Sequence, residues 1–385
     1  MEKEITTKDL LKEIKEQSID NLSIETFKKL QKLSEQKGGI NSLEIQRQSF
    51  LRLANMAKRF NIYKNNPFIL FKNDNSDDSE LEQSYENAIL TLEKDIPRCI
   101  YNQFIKNKTD NQIYNLNLEL LENKMKIFLK DSKNYSYYQG VLDVAVYFFL
   151  LYKKQTNKSI EIFQYYLEVY LKDYITSIHS NGDVFQNTVI VLSDFIYLIN
   201  PNIGKFFLED NVPLCMCLSW IITSFCHDIN KIKIIQRIID YIFFHEPCVV
   251  FIMVSFIIID KLDNMIKNGI ELNHEIILPS LSQFKVELID FDDIIFRTQN
   301  FFEENEKEIR KIQIKNSKLM CLIGNVNFKG SESIVNLPIL KDHLLKNDVF
   351  NNNSKNDLIK HYKNIYTGTS LVLIICIVLF LLKKN

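Results

Sequence analysis

Helix-period apolar patterning over more than half of the chain is the feature that most limits its fold. Between residues 88 and 315, apolar side chains recur at the three- and four-residue spacing of one helix face after another. The whole sequence has only 9 Gly and 7 Pro in 385 residues, too few for the tight turns of a β-rich fold. A net charge of −1 supplies no basic surface for nucleic acid. The chain is therefore predicted to be all-α and multi-helical.

The most apolar segments predict where the core lies. Residues 141–151 are apolar except for Asp143, and residues 249–259 are apolar except for Ser255, so both are predicted to be buried helices. The second segment is too short to cross a bilayer. Two amphipathic helices are expected before a stop at Gly38-Gly39, and the acidic residues 74–82 are expected to form a solvated loop. Further helices are expected at 115–129, 159–178, 187–198, 214–225, 232–244 and 290–312.

The cysteines indicate a reduced protein. Seven are scattered through the chain, mostly inside apolar runs, which is typical of core cysteines in the cytosol. Cys215, Cys217, Cys226 and His227 have the ligand types of a zinc site. The two side chains of a Cys-x-Cys in a helix point to different sides, however, so buried cysteines are the stronger interpretation and no metal site is predicted. The sequence also has no GxxxxGK[ST] or GxGxxG motif with which to bind a nucleotide of its own.

The C-terminal apolar run predicts a single transmembrane helix. Residues 365–382 carry no charge, which is near the minimum length for a span, and Lys383-Lys384 are suited to anchor its end at the interface. A buried C-terminal helix is the alternative, but such helices usually keep a polar face. Because few residues follow the span, it is expected to insert after translation as a tail anchor, with the bulk of the chain cytosolic. Residues 316–364 are polar and are expected to be a linker.

Two short motifs carry groups suited to phosphoryl chemistry. Asp95 is predicted to be a helix N-cap, with Pro97 and Arg98 in the first turn that follows. Tyr137 and Gln139 lie where a polar loop meets the buried helix at 141–151. An arginine offers a delocalised charge to a transferring phosphoryl group, and a glutamine can orient an attacking water. On spacing alone, an arginine in a surface ion pair and a glutamine in a helix cap remain the stronger interpretation, because such pairs are common.

The order and residue sequences of the motifs resemble those of the TBC-domain GTPase-activating proteins for Rab GTPases. The family signatures I-x-x-D-x-x-R and Y-x-Q correspond to the Leu92–Arg98 and Tyr137–Gln139 segments. Residues 220–227 and 237–243 resemble two later signature blocks. Leu92 replaces the usual Ile, Cys99 stands where Thr is usual, and Leu51 falls where the family has a tryptophan.

The resemblance implies roles for four residues. Arg98 would be an arginine finger and Gln139 a glutamine finger that replaces the glutamine of the GTPase, while Asp95 and Tyr137 would support them. The partner implied is a Rab GTPase in its GTP form. GTP and Mg²⁺ would be carried by that partner, so the chain would need no cofactor of its own. A membrane-tethered Rab-binding or scaffold module without catalysis is the alternative.

The resemblance also implies a domain plan and a location. The plan is an N-terminal helical extension at 1–37, a TBC domain at 38–315, the linker and the membrane anchor. A C-terminal anchor is similar to that of the endoplasmic-reticulum branch of the family. We therefore expect an early-secretory Rab as substrate and the endoplasmic reticulum or early Golgi membrane as the location.

Overall fold

Helices form the regular structure throughout the part of the chain that can be described. A computed structural model describes residues 7–59, 78–99, 118–131, 137–152, 156–176, 183–208 and 214–316. Two short 3₁₀ segments, Leu214–Cys217 and Val286–Leu288, accompany the α-helices. The α-helices in chain order are α1 (Thr7–Glu16), α2 (Ile24–Glu35), α3 (Leu43–Arg59), α4 (Asp78–Asp95), α5 (Leu118–Asp131), α6 (Val141–Tyr152), α7 (Thr156–Tyr170), α8 (Lys172–Thr176), α9 (Asp183–Ile199), α10 (Pro201–Leu208), α11 (Leu218–Ile222), α12 (Ile232–Phe243), α13 (Val249–Lys267), α14 (His274–Ser282), α15 (Phe291–Glu304) and α16 (Glu306–Lys315). The all-α prediction is confirmed for these residues.

Helix α6 lies at the centre of the molecule. Every residue from Val141 to Tyr152 is buried, including Asp143. The helix packs on α3, α7 and α12, so no side of it faces solvent. Its nearly continuous apolar sequence is what such a position requires, and the prediction of a central helix here is confirmed.

An aromatic cluster around Phe243 joins the helices that surround α6. The Phe243 ring stacks on Phe50 of α3 with centroids 3.7 Å apart and an interplanar angle of 15°. The Tyr170 hydroxyl also donates to the Phe243 carbonyl oxygen over 2.9 Å. Five more rings lie within 6.5 Å of Phe243 between centroids, and they belong to Phe148, Tyr165, Tyr166, Tyr170 and Phe244. Buried rings supply much of the apolar area that stabilises a helical core.

Helix α13 is the second buried helix that the sequence predicts. Its first turns, Val249–Met253, are buried without exception, and it packs against α9 and α15. Among the helices in the described ranges, none is both long enough and apolar enough to cross a bilayer. The predicted membrane span at 365–382 lies outside the described residues.

Several helix boundaries differ from the sequence predictions. Residues 78–82, predicted as part of an acidic loop, begin α4. The helix predicted at 159–178 is two helices that meet at Leu171. The helix predicted at 290–312 is also two helices, α15 and α16, which meet at Asn305. The Asn305 Nδ2 and main-chain N–H both donate to Phe301 O.

The N-terminal helices pack onto the rest of the molecule. Ser23 caps α2 by accepting the N–H of Thr26 over 3.1 Å, and Gly38 and Gly39 at positive φ end the segment, as predicted. Helix α1 packs on α2 and α3, and α2 packs on α12 and α15. The prediction of two helices before the double glycine is confirmed.

One arginine ties this N-terminal segment to two later helices. Arg237 on α12 donates from Nη1 to Ser34 O over 2.7 Å and from Nη2 to Gln36 O over 2.9 Å. Its Nε donates to Asp292 Oδ1 over 2.5 Å, and the same oxygen accepts the N–H of Gly38. Asp292 lies in the first turn of α15 and is the ion-pair partner of Arg237. Asp290 caps that helix by accepting the N–H of Asp292.

A buried carboxyl group lies one turn along the same helix. Asp240 is fully enclosed, and Gln46 Nε2 donates to both of its oxygens over 2.7 Å. The Gln46 Oε1 in turn accepts from Gln236 over 3.0 Å. Burial raises the pKa of Asp240 well above its ordinary value, although Gln46 and Arg237 oppose the shift.

Replacing Arg237 tests the contribution of this clamp to stability. We expect Arg237→Ala to lower the free energy of unfolding by about 3 kcal/mol or more, since it breaks a mostly buried pair and leaves two carbonyl acceptors unpaired. Arg237→Lys should recover little of this loss, because one ammonium cannot reach three acceptors in different directions. Urea denaturation measures the free energy of unfolding of both variants. Lys311→Ala, which removes an exposed pair with Glu308, should change stability by less than about 1 kcal/mol. A lysine variant as stable as the native chain would contradict the prediction.

Asp240 makes a pH-dependent contribution to stability. A carboxyl whose folded pKa is raised binds a proton on folding, so the stability from this group falls as pH rises from about 4 towards the folded pKa. Asp240→Asn cannot titrate. Its melting temperature relative to the native chain should therefore rise as the pH is raised from about 4 to about 7. Thermal unfolding across that range measures the difference, with the exposed Asp20→Asn as control. Parallel profiles for Asp240→Asn and the native chain would contradict this assignment.

Candidate functional site

Arg98 lies on the surface directly after helix α4. The buried face of α4 includes Ala88 and Leu92, which hold the end of the helix against the core. The chain then turns, and the N–H of Arg98 donates to Asp95 O over 2.9 Å. The Arg98 side chain is exposed, and within the described residues its guanidinium makes no hydrogen bond or ion pair.

Gln139 lies in a tight turn at the entrance to α6. The N–H of Val141 donates to Tyr138 O over 3.3 Å, and Gly140 has a φ of 94°. A residue without a Cβ adopts this left-handed conformation most easily. The Gln139 side chain is half-buried, and its carboxamide has no hydrogen-bond partner in the described parts of the chain. The backbone of the turn is therefore fixed by its main-chain hydrogen bond and by Gly140.

Asp95 holds both segments. Its Oδ2 accepts the Tyr137 hydroxyl over 2.7 Å and the N–H of Gly140 over 3.0 Å. Its main-chain carbonyl accepts the N–H of Arg98. One residue thus fixes the turn that carries the arginine and the turn that carries the glutamine. The structure brings together all four residues that the sequence singled out.

The position of Asp95 differs from the sequence prediction. An N-cap carboxylate accepts an N–H two or three residues further along the chain. Asp95 is instead the last residue of α4, and the partners of its carboxylate lie 42 and 45 residues further along. Pro97 and Arg98 occupy the turn after the helix rather than the first turn of a new one.

Burial sets the protonation behaviour of the Asp95 and Tyr137 pair. It raises the pKa of the Asp95 carboxyl, and the hydrogen bonds from Gly140 and Tyr137 partly offset that rise. Burial also raises the pKa of the Tyr137 phenol well above its ordinary value, and the nearby Asp95 charge adds to the effect. Tyr137 therefore keeps its proton and acts as the donor.

The segment after α11 forms the wall behind the Gln139 turn. The Tyr138 hydroxyl donates to Ile222 O over 2.5 Å. A Cβ on Gly140 would lie 2.9 Å from Thr223 Cγ2 and 3.6 Å from His227 Nδ1, so the turn is in close contact with both residues. His227 Nδ1 donates to Asp143 Oδ2 over 2.5 Å. The turn is thus held on two sides, by Asp95 and by this wall.

Sequence reasoning assigned no role at this site to Asp143 and His227. Both residues lie in recognisable sequence motifs. Asp143 is three residues after Gly140, and His227 ends the block that begins at Trp220. Their pairing could not be read from the chain, because 84 residues separate them.

The cysteines near His227 lie in the core. Cys217 and Cys226 are buried free thiols, and burial raises the pKa of each well above its ordinary value. Within the described ranges, no group of three or more His, Cys, Asp and Glu side chains is arranged to hold a metal ion.

Comparison with known proteins gives the family. The family model described as the Rab-GTPase-TBC domain matches residues 45–267, more than half of the chain, and includes every residue of the site above. The GTPase-activating protein gyp10 of Schizosaccharomyces pombe is 22% identical over 143 residues, a match that covers 37% of this chain and 37% of the relative's own length. Because the match covers more than half of the chain and contains the whole site, it shows that the chain belongs to the Rab-GTPase-TBC domain family.

Proposed function

We propose that this protein stimulates GTP hydrolysis by a Rab GTPase in its GTP-bound form. One observation carries the proposal: Asp95 fixes the Arg98 and Gln139 turns together, yet neither side chain has a partner within the described residues. A guanidinium and a carboxamide are the groups that can stabilise a transferring phosphoryl group and orient an attacking water. The membership of the family and the name of the fission yeast relative support the same activity.

Arg98 would act on the transition state of the reaction. Hydrolysis of GTP spreads negative charge over the transferring phosphoryl group and the leaving oxygen. A guanidinium inserted by a second protein stabilises that charge, and its planar fork can bond two oxygens at once. Because the chain bends immediately after Asp95, Arg98 projects from the surface and can reach a nucleotide bound to a partner.

Gln139 would orient the attacking water. A carboxamide can accept a hydrogen bond from that water through Oε1 and donate to a phosphate oxygen through Nε2. The fixed backbone of the Gly140 turn limits where the amide can lie, which lowers the entropy lost on reaching the reactive arrangement. GTP and Mg²⁺ would both be held by the Rab, since this chain has no phosphate loop.

The position of the protein in the cell is part of the proposal. The uncharged run at 365–382 followed by two lysines supports a single transmembrane anchor. A short, weakly flanked span suits the thinner membrane of the endoplasmic reticulum. A GTPase activator held there would act on a Rab of the early secretory pathway.

Arg98 variants test the arginine finger directly. We expect Arg98→Ala to lower the stimulated hydrolysis rate by about 10³-fold or more, the usual effect of losing such a residue. Arg98→Lys should also be poorly active, because an ammonium lacks the planar fork. Single-turnover hydrolysis over a panel of GTP-loaded Rabs is the measurement. Lys94→Ala, an exposed cation at the end of α4, is the matched control and should keep the native rate.

The same assay separates this mechanism from non-catalytic binding. Gln139→Ala should lose most of the stimulation, whereas a Rab whose own glutamine is replaced by alanine should still respond to the native protein. Both variants are expected to keep binding the GTP-loaded Rab. An Arg98→Ala protein with near-native stimulation would rule out the proposed mechanism, and Rab binding without any stimulation would identify the native chain as a tethering module.

Removal of the C-terminal run tests the anchor. Deleting residues 365–385 should release the protein from carbonate-washed membranes into the soluble fraction, because the run supplies the apolar length of the span. Ile374→Arg with Ile377→Arg should do the same, since each arginine near the middle of a span costs about 2.5–3.5 kcal/mol. Fractionation together with an endoplasmic-reticulum marker measures both. Carbonate-resistant association of the deleted protein would contradict the anchor.

A further inference from the structure

A strained turn lies beneath the Gln139 segment. Ser224 and Phe225 have φ values of 47° and 66°, the only non-glycine residues at positive φ among the residues described. A residue in this conformation is strained and persists only where its surroundings hold it. Here the Tyr166 hydroxyl donates to Ser224 Oγ over 2.7 Å, and the N–H of Phe225 donates to Trp220 O over 2.9 Å.

The strained turn determines where His227 lies. After two left-handed residues the chain doubles back, and the N–H of His227 donates to Thr223 Oγ1 over 3.3 Å. Thr223 Oγ1 donates in turn to Ser219 O over 2.6 Å. The imidazole is thereby brought against Gly140, with Nδ1 3.6 Å from the position that a Cβ would take.

The partner of His227 connects the ring to the glutamine segment a second time. Asp143 lies in the first turn of α6, and its N–H donates to Gly140 O over 3.1 Å. The His227 bond to the Asp143 carboxylate is therefore four residues from Gln139 and on the same short segment. Both side chains are at most 6% exposed, so the bond is shielded from water.

We propose that His227 is a positioning residue for Gln139: it fixes the Gln139 turn through its contact with Gly140 and its hydrogen bond to Asp143. This inference rests on the proposed GTPase-activating function and adds to it a residue that contacts no nucleotide. The strain at Ser224 and Phe225 is then part of the site, because it places the ring that supports the turn. Asp95 holds the turn from one side and His227 holds it from the other.

Two substitutions of His227 separate the effect of its hydrogen bond to Asp143 from the effect of its side-chain volume. His227→Asn keeps an N–H donor at the position of Nδ1, since both atoms are attached to Cγ. His227→Gln moves the donor one bond further out and loses the Asp143 partner while filling more of the space. We expect the maximal stimulated rate to fall by about 10- to 100-fold in His227→Gln and His227→Ala, the scale of a misplaced catalytic group, and by less than about threefold in His227→Asn. The concentration giving half-maximal rate should not change.

A double-variant comparison distinguishes positioning from general stability. If His227 acts through Gln139, His227→Gln should have no further effect on the rate in a Gln139→Ala background. The matched control is His245→Ala, which removes another buried histidine paired with a carboxylate, Glu35, away from the Gln139 turn. The control should lower the melting temperature without lowering the maximal rate. Equal rate losses for His245→Ala and His227→Gln, or losses that multiply in the Gln139→Ala background, overturn the proposal.

A second measurement needs no GTPase. The N–H of Gly140 is bonded to Asp95 and should exchange slowly with deuterium in the native full-length chain. Mass-spectrometric exchange of the peptide that contains Gly140 should be at least about tenfold faster in His227→Gln, with the native rate kept in His227→Asn and His245→Ala. Native exchange in His227→Gln overturns the inference. If no Rab responds to the native protein, the proposed function fails, and this exchange experiment still decides whether His227 holds the turn.

Discussion

The carboxylate of Asp95 is the constraint on which the arrangement of the site depends. It is nearly inaccessible to water and is satisfied by a phenol hydroxyl and a main-chain N–H from the entrance to α6. A buried carboxylate left without such donors is strongly unfavourable. The end of α4 and the start of α6 must therefore form together, and Arg98 and Gln139 become parts of one surface although about forty residues separate them in the chain.

The helical architecture and the central position of α6 could be predicted because their signals are local. Apolar periodicity, an unbroken apolar segment and the double glycine at 38 and 39 each act through neighbouring residues. The surface positions of Arg98 and Gln139 followed from their places next to buried segments. The helix start at Asp78 was missed because an acidic, serine-rich sequence is also typical of a solvated loop.

The polar contacts could not be predicted because their partners exist only after folding. Asp95 has the sequence context of a helix cap, yet its carboxylate bonds residues on another helix. Arg237 belongs to a recognisable motif, but nothing near it indicates that its acceptors are the carbonyls of Ser34 and Gln36. The sequence predicts a continuous helix through Ser224 and Phe225, since neither residue type favours the positive φ that both adopt. Long-range partners decided the conformation in each case.

The Arg237 clamp also bears on where the folding unit begins. The family match starts at residue 45, whereas two of the three acceptors of this guanidinium are carbonyls that precede it. A fragment cut at the start of the family match would keep Arg98, Gln139 and the whole of the wall behind Gln139. It would nevertheless remove two of the three acceptors of the Arg237 guanidinium. It would also uncover the α12 surface on which α2 packs. The packed helices therefore extend before the start of the family match, and α1 and α2 are part of them.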